Sequence, residues 1–214
     1  MVCGLTNRWR GRVRNKLPSS YIGARRSAQP LERMATVDEV IHVVEPDSRW
    51  PCMFSIEQTR LADALGFARD RIEHIGSTAV PGLVAKPIID IMVGVDSFPP
   101  TPAIADAVSS LGFECLGEAD VPGRVYFRRR GIDNFNVHVV EFSGAIWLNN
   151  IRLRDYLAAF PEAKNRYSAA KRQIVQGGAT RLLAYSVAKS SIVDDLLSEA
   201  TLRSNTSLER TRER

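Results

Sequence analysis

Residues 72–95, IEHIGSTAVPGLVAKPIIDIMVGV, hold two apolar runs joined by a loop of small residues, with one carboxylate in the middle of the second run. Ile72 and Ile75 are the apolar positions of a short strand expected over 71–75. Gly76-Ser77-Thr78 then turns the chain, and Gly76, lacking a side chain, lets a ligand approach the backbone closely. Pro81-Gly82 marks a second break. Ile88-Ile89-Asp90-Ile91-Met92-Val93 lies between Pro87 and Gly94 and is too short for an ordinary helix, which predicts a central strand buried on both faces. A carboxylate inside such a strand, at Asp90, needs donors, a cation or a metal.

The loop offers what an anion requires. Backbone N–H groups around Gly76, Ser77 and Thr78, two hydroxyls and the Lys86 ammonium form a candidate phosphate cradle. Asp90 enters from the neighbouring strand, where a divalent cation would bridge it to the phosphates. Small-residue loops and buried acids also serve purely structural ends. No GxSxG elbow surrounds Ser77, so a ligand role is expected for it rather than a nucleophilic one.

Around this stretch, helices and strands alternate. Residues 36–44, with Val37, Ile41 and Val43, open the chain as a helical turn or a strand. From Cys52 to Phe67, Phe54, Ile56, Leu61 and Leu65 recur at helical spacing, and Gly66 caps the end. Pro102 suits a first helical turn, and a helix from Ala103 to Leu111 is expected to turn Val108 and its neighbours inward. Phe113 to Leu116 reads as a strand.

Val125–Arg130 and Phe135–Phe142 then read as a hairpin. On its second arm Asn136, His138 and Val140 point one way, and Val137, Val139 and Glu141 the other. Arg128, Arg129 and Arg130 sit at the tip of the first arm, where such a cluster can grip phosphate bidentately or simply be a solvated end.

From Gly144 the pattern is helical. Trp147, Ile151, Tyr156, Leu157 and Phe160 line one face, and Pro161 opens a second helix carrying Tyr167, Ala170, Ile174 and Val175. A third helix is expected from Thr180, as N-cap, to Glu199, with Leu182, Leu183, Val187, Ile192, Val193 and Leu196 inward. Tyr185 and Lys189 lie at i and i+4 on it. Residues 201–214 are polar and expected to fray.

Ile75-Gly76-Ser77, a gap of twelve residues, then Asp90-Ile91 resembles the motif of the nucleotidyltransferase (polymerase-beta-like) superfamily. Within it, HIGSTAVPGLVAKPIIDIMV is similar to the GrpB family, also called UPF0157. The resemblance runs from about residue 43 to 197. It takes in Trp50-Pro51, Tyr126-Phe127-Arg128, Val137-His138-Val139-Val140, Arg154-Asp155-Tyr156-Leu157, Tyr185 and Lys189.

What it implies is an α/β (α+β) fold: a nucleotidyltransferase-like mixed sheet flanked by helices over 34–143, then a C-terminal helical subdomain over 144–200 walling the cleft. It also implies a nucleoside triphosphate or other phosphorylated small molecule as ligand, with Mg²⁺. Asp90 would hold the metal, with Glu141 or His138 completing its shell, and His138 would alternatively orient an acceptor. Gly76, Ser77 and Thr78 would take the phosphates, and Lys86, Arg128 and Lys189, beside Tyr185, their charge. Independently of the resemblance, Glu57 and Glu73 stay open as extra metal ligands.

One departure bears on activity. Members that transfer nucleotides carry a second acid two residues after the first, and here that place is Met92. Two-metal chemistry clamps both reacting oxygens, so the alternative is a binding module without transfer activity. Fusion of related domains to dephospho-CoA kinase suggests a link to coenzyme A metabolism.

Charge is uneven along the chain. Residues 1–33 hold eight basic side chains against Glu32 alone. Removing these from the 29 basic and 24 acidic residues of the whole leaves 21 against 23, so the remainder is nearly neutral and no nucleic-acid partner is expected from the basic pI. The leader is expected to be disordered; it resembles a transit peptide in composition, and upstream translation ahead of Met34 is the favoured reading. No apolar run reaches membrane-spanning length. Cys3, Cys52 and Cys115 are scattered, which suggests neither zinc nor a disulfide framework and points to the cytoplasm.

Overall fold

A computed structural model describes residues 38–212, with side chains to 204; the basic leader expected over 1–33 lies outside the described residues. Its centre is a mixed sheet of five strands: β1 (Ile72–Ile75), β2 (Ile89–Val95), β3 (Glu114–Cys115), β4 (Arg124–Arg129) and β5 (Phe135–Glu141). Their order is β1-β2-β5-β4-β3. β2 and β5 run parallel, and the other neighbours are antiparallel.

Strand alternation sorts the side chains onto two unlike faces. Ile89, Ile91, Val93 and Val95 of β2 join Val137 and Val139 of β5 and Val125 and Phe127 of β4 in one core. Helices α1 (Trp50–Leu65) and α2 (Pro102–Ser110) cover that core with Trp50, Leu61 and Val108. Each such side chain contributes about 1.5–3 kcal/mol on leaving water. Gly66 ends α1 in the left-handed conformation, as its place after the periodic residues predicts. Ile56, one of the apolar residues at helical spacing, is exposed, because the buried stripe of α1 runs through Trp50, Glu57 and Leu61.

The other face is divided. At one end Ile75, Met92 and Val140 pack under Trp147, on α3 (Ala145–Ala159). β2 does not stop at Gly94 but continues to Val95. A side chain at position 94 would meet Phe142 at 2.7 Å and Trp147 at 2.9 Å, so this glycine makes room for the aromatic pair rather than ending the strand. At the opposite end the same face presents Asp90, Asn136, His138, Tyr126 and Arg124 to a cleft.

Helices α3, α4 (Pro161–Gln176), α5 (Leu182–Ala188) and α6 (Ser190–Arg212) form the far wall. Their shared core includes Leu157, Tyr167, Leu196 and Ala200, together with Val80 and Leu83 from the loop after β1. The single helix expected over 180–199 is two helices meeting at Lys189. Thr180 does not cap the first of them; the distant Asp38 carboxylate accepts from the Leu183 N–H at 3.0 Å and pairs with Arg181. Val187 faces outward. α6 runs on to Arg212, through most of the stretch expected to fray. Residues 38–44 are an extended strap, bridged at Val40 to Arg181 and at Val44 to Ala85. Among the described residues no helix is long and apolar enough to cross a membrane.

Candidate functional site

The cleft between the polar part of the sheet and the C-terminal helices has a volume of ≈ 680 Å³. Gly76, Ser77, Thr78, Lys86, Asp90, His138, Tyr185 and Lys189 all line it, so the fold gathers eight of the sequence-derived candidates at one place. Asp90 and the small-residue loop touch directly. A Cβ on Gly76 would lie 2.7 Å from Asp90 Oδ2, and Gly76 has φ +70°, so both space and backbone call for glycine here.

Asp90 is held by a network that starts outside the cleft. Glu39 anchors Arg130 through hydrogen bonds of 2.8 and 2.9 Å. Arg130 and the Tyr126 hydroxyl both donate to Asn136 Oδ1, at 3.0 and 2.8 Å. That fixes the Asn136 amide with its Nδ2 donating to Asp90 Oδ1 at 2.6 Å. His138 Nε2 lies 3.5 Å from the same oxygen. Burial acts to raise the Asp90 carboxyl, but His138, the Lys86 charge and the Asn136 amide outweigh it and hold the group below the ordinary carboxylate range.

His138 is drawn the other way. Burial lowers its pKa, opposed by Asp90 and reinforced by Arg124 and Lys86. Arg124 Nη1 stands 3.4 Å from His138 Nδ1, and a guanidinium only donates. The ring therefore accepts at Nδ1 and keeps its proton on Nε2, facing Asp90.

Ser77 has a partner that the pattern did not reveal. Lys171 of α4, 1 % exposed, donates to Ser77 Oγ and to the Val84 carbonyl, and its ammonium lies 4.0 Å from the centre of the Tyr167 ring. Burial, with the charges of Lys189 and Lys86, pushes Lys171 well below the usual lysine range, and Asp90 acts against this. Lys86 is pushed down to about 8, first by burial, with Asp90 opposing and Lys189 adding to the fall. Lys86 and Lys189 flank the buried Tyr185 ring, with ammonium groups 6.0 and 5.7 Å from its centre.

Thr78 and His74 fasten the loop instead of opening to a ligand. The Thr78 hydroxyl contacts His74 Nε2 at 3.0 Å and donates to the Ile88 carbonyl at 3.4 Å. His74 stacks on Phe54, and burial lowers its pKa to about 4.

Four expected ligands stand elsewhere. Arg128 reaches across to Glu114 at 2.9 Å, on the sheet edge, and Arg124 occupies the cleft instead. Glu141 is exposed at the end of β5, on the opposite side of the strand alternation from His138. Glu57 is buried between Arg129 and Arg60, and Glu73 pairs with Arg154 at 2.6 Å. Among the described residues no group of three or more His, Cys, Asp or Glu side chains is placed to hold a metal ion.

The residues missed were Lys171, Arg124, Asn136 and Tyr126. Alternation already put Asn136 beside His138, and Tyr126 and Arg124 follow by the same rule on the paired strand. Lys171, four residues after Tyr167, falls on the stripe that faces the core.

The architecture and the cleft define a mixed α/β protein with a cation-lined pocket at the sheet's polar end. The GrpB protein family model matches residues 40–199, and the chain belongs to that family. It is 35% identical over 162 residues to a UPF0157 protein of Halalkalibacterium halodurans, covering 75% of this chain and 82% of the relative. The crystal structure of conserved protein GrpB from Enterococcus faecalis is similar with a TM-score of 0.66 and 29% identity, over 76% of this chain and 98% of that one. A dephospho-CoA kinase of Mycolicibacterium paratuberculosis is 25% identical over 175 residues, which cover 70% of this chain and 43% of the kinase.

Proposed function

We propose that the cleft binds a phosphorylated small molecule of the nucleoside triphosphate class, its phosphates against Ser77, Lys86, Arg124 and Lys189. The observation that carries this reading is an excess of cations that have no acid of their own. Lys86, Arg124, Lys171 and Lys189 stand at or just behind the cleft wall, and none forms an ion pair with a carboxylate among the described residues. Arg124 Nε is moreover the one buried side-chain nitrogen or oxygen without a partner among the described residues. Burying such groups costs free energy that an arriving anion offsets. The resemblance of the Gly76-Ser77 loop and Asp90 to the nucleotidyltransferase motif supports the same ligand class.

The residues do not fit the two Mg²⁺ ions of nucleotidyl transfer. Asp90 Oδ1 is already engaged by Asn136 and His138, and the expected second acid is Met92, which is fully buried. The function proposed is therefore binding. Transfer to an acceptor is the second reading, favoured by the approach of His138 to Asp90 beside the loop. The dephospho-CoA kinase relative makes dephospho-CoA a ligand to include, and the reading puts the protein in the cytoplasm, where such molecules are found.

A thermal-shift panel of ATP, GTP, CTP, UTP and dephospho-CoA tests it. At a hundredfold excess over Kd a bound ligand stabilises the fold by about 2.7 kcal/mol. At least one of the five raises Tm if the reading is right, and no shift with any of them overturns it. Release of pyrophosphate from α-labelled nucleotide would establish transfer.

A further inference from the structure

We infer that the cleft takes its phosphorylated ligand without a divalent cation, Lys86, Arg124 and Lys189 supplying the positive charge that bound metal ions would otherwise bring. The inference rests on the phosphate reading above and concerns how the charge is balanced.

Two independent observations carry it. The first is the apolar filling beside Asp90. Met92 projects from the same face of β2, two residues on, and is sealed with Ile75, Val140 and Trp147. An ion placed between positions 90 and 92 would meet a thioether and hydrocarbon, neither of which suits a hard cation that takes oxygen ligands.

The second is the company Asp90 keeps. A carboxylate that serves as a metal ligand is ordinarily part of an acidic cluster, whereas Asp90 has only His138 beside it, and no group of three or more His, Cys, Asp or Glu side chains is placed to hold an ion among the described residues. Three lysines stand nearby instead, one of them 1 % exposed and bonded to the serine of the loop. Like charges repel, and more strongly where burial lowers the effective dielectric. A free divalent ion is thus disfavoured where a polyphosphate is drawn in. Asp90, held by Asn136 and His138, offsets only part of that positive charge, so the cleft keeps a net attraction for a polyphosphate.

Calorimetric titration of the full chain with ATP, once in EDTA and once in excess Mg²⁺, reads the difference. The same titrations on Asp90→Asn and Lys189→Met complete the set, with inorganic tripolyphosphate as a probe lacking the nucleoside. Affinity in EDTA is expected to equal or exceed that in Mg²⁺, because complexed Mg²⁺ cancels part of the charge that the lysines attract. Asp90→Asn, which keeps the acceptor for Asn136, should bind ATP at least as tightly as the parent. Lys189→Met should weaken binding about 10- to 100-fold, the worth of one charge-assisted hydrogen bond. Binding that appears only with Mg²⁺ and vanishes in Asp90→Asn overturns the inference while leaving the phosphate reading intact. Folded protein that binds neither probe under either condition overturns both.

Discussion

Glu57 and Lys171 are both ionisable and almost wholly buried, at 2 % and 1 % exposure, on opposite sides of the same sheet. Their surroundings differ in kind. Glu57 is gripped by Arg129 through bonds of 2.8 and 2.7 Å and by Arg60 at 2.8 Å. Arg129 is in turn packed against Phe113 and Phe135. That charge is complete, and it joins α1 to the β4–β5 hairpin. Lys171 has a hydroxyl, a carbonyl and an aromatic ring, and no acid. A buried charge with its counter-ion is architecture, whereas one left without is free-energy cost awaiting a ligand.

Removing each group should therefore have opposite consequences. Glu57→Ala leaves Arg129 buried without its acid and should destabilise the fold by about 3–5 kcal/mol in chemical denaturation. The cleft of the protein that remains folded should bind ATP as before. Lys171→Met replaces a buried amine that has no acid partner by an apolar side chain of similar length, so stability should hold or rise. ATP affinity should nevertheless fall about 10- to 100-fold. If Lys171→Met unfolds the protein as Glu57→Ala does, the contrast between the two sites is wrong.

A pH titration sharpens the same contrast with a smaller effect. Lys86, at about 8, is charged below that value and loses its proton as the pH rises through it. ATP affinity should accordingly decline from pH 7 to pH 9, by up to about tenfold for the loss of one attracting charge. A flat profile would show that Lys86 does not meet the phosphates. The smallest change is expected at Arg128, whose partner Glu114 is more than half exposed. Arg128→Ala should cost about 0–1 kcal/mol and leave ATP binding unaltered, a result that isolates Arg124 as the hairpin arginine facing the cleft.

The sequence made the loop, the strand bearing Asp90 and the hairpin legible because their signals are local. Turn glycine, apolar run and two-residue alternation lie within a few residues of each other, and they correctly set Asn136 and His138 on one face; that Asp90 shares it follows from the β2–β5 register. The arginine run was opaque for the converse reason. Three identical neighbours conceal the alternation that sends Arg128 to Glu114, Arg129 through to Glu57 and Arg130 to Glu39 and Asn136. Lys171 was harder still. An amphipathic reading assigns lysine to the outer face of a helix, and its partner Ser77 lies 94 residues away, so only the packed fold brings the two together. Helix boundaries failed where a distant group decided them, as Asp38 does for α5.

The most direct test is an amide NMR titration of the full chain with ATP. Saturable shifts concentrated at Gly76, Ser77 and Thr78 and around Lys189, with the amides near Glu57 and Arg129 unmoved, are the predicted result. Shifts centred on Glu57 and Arg129 with the loop silent, or no saturable shifts anywhere, would contradict it.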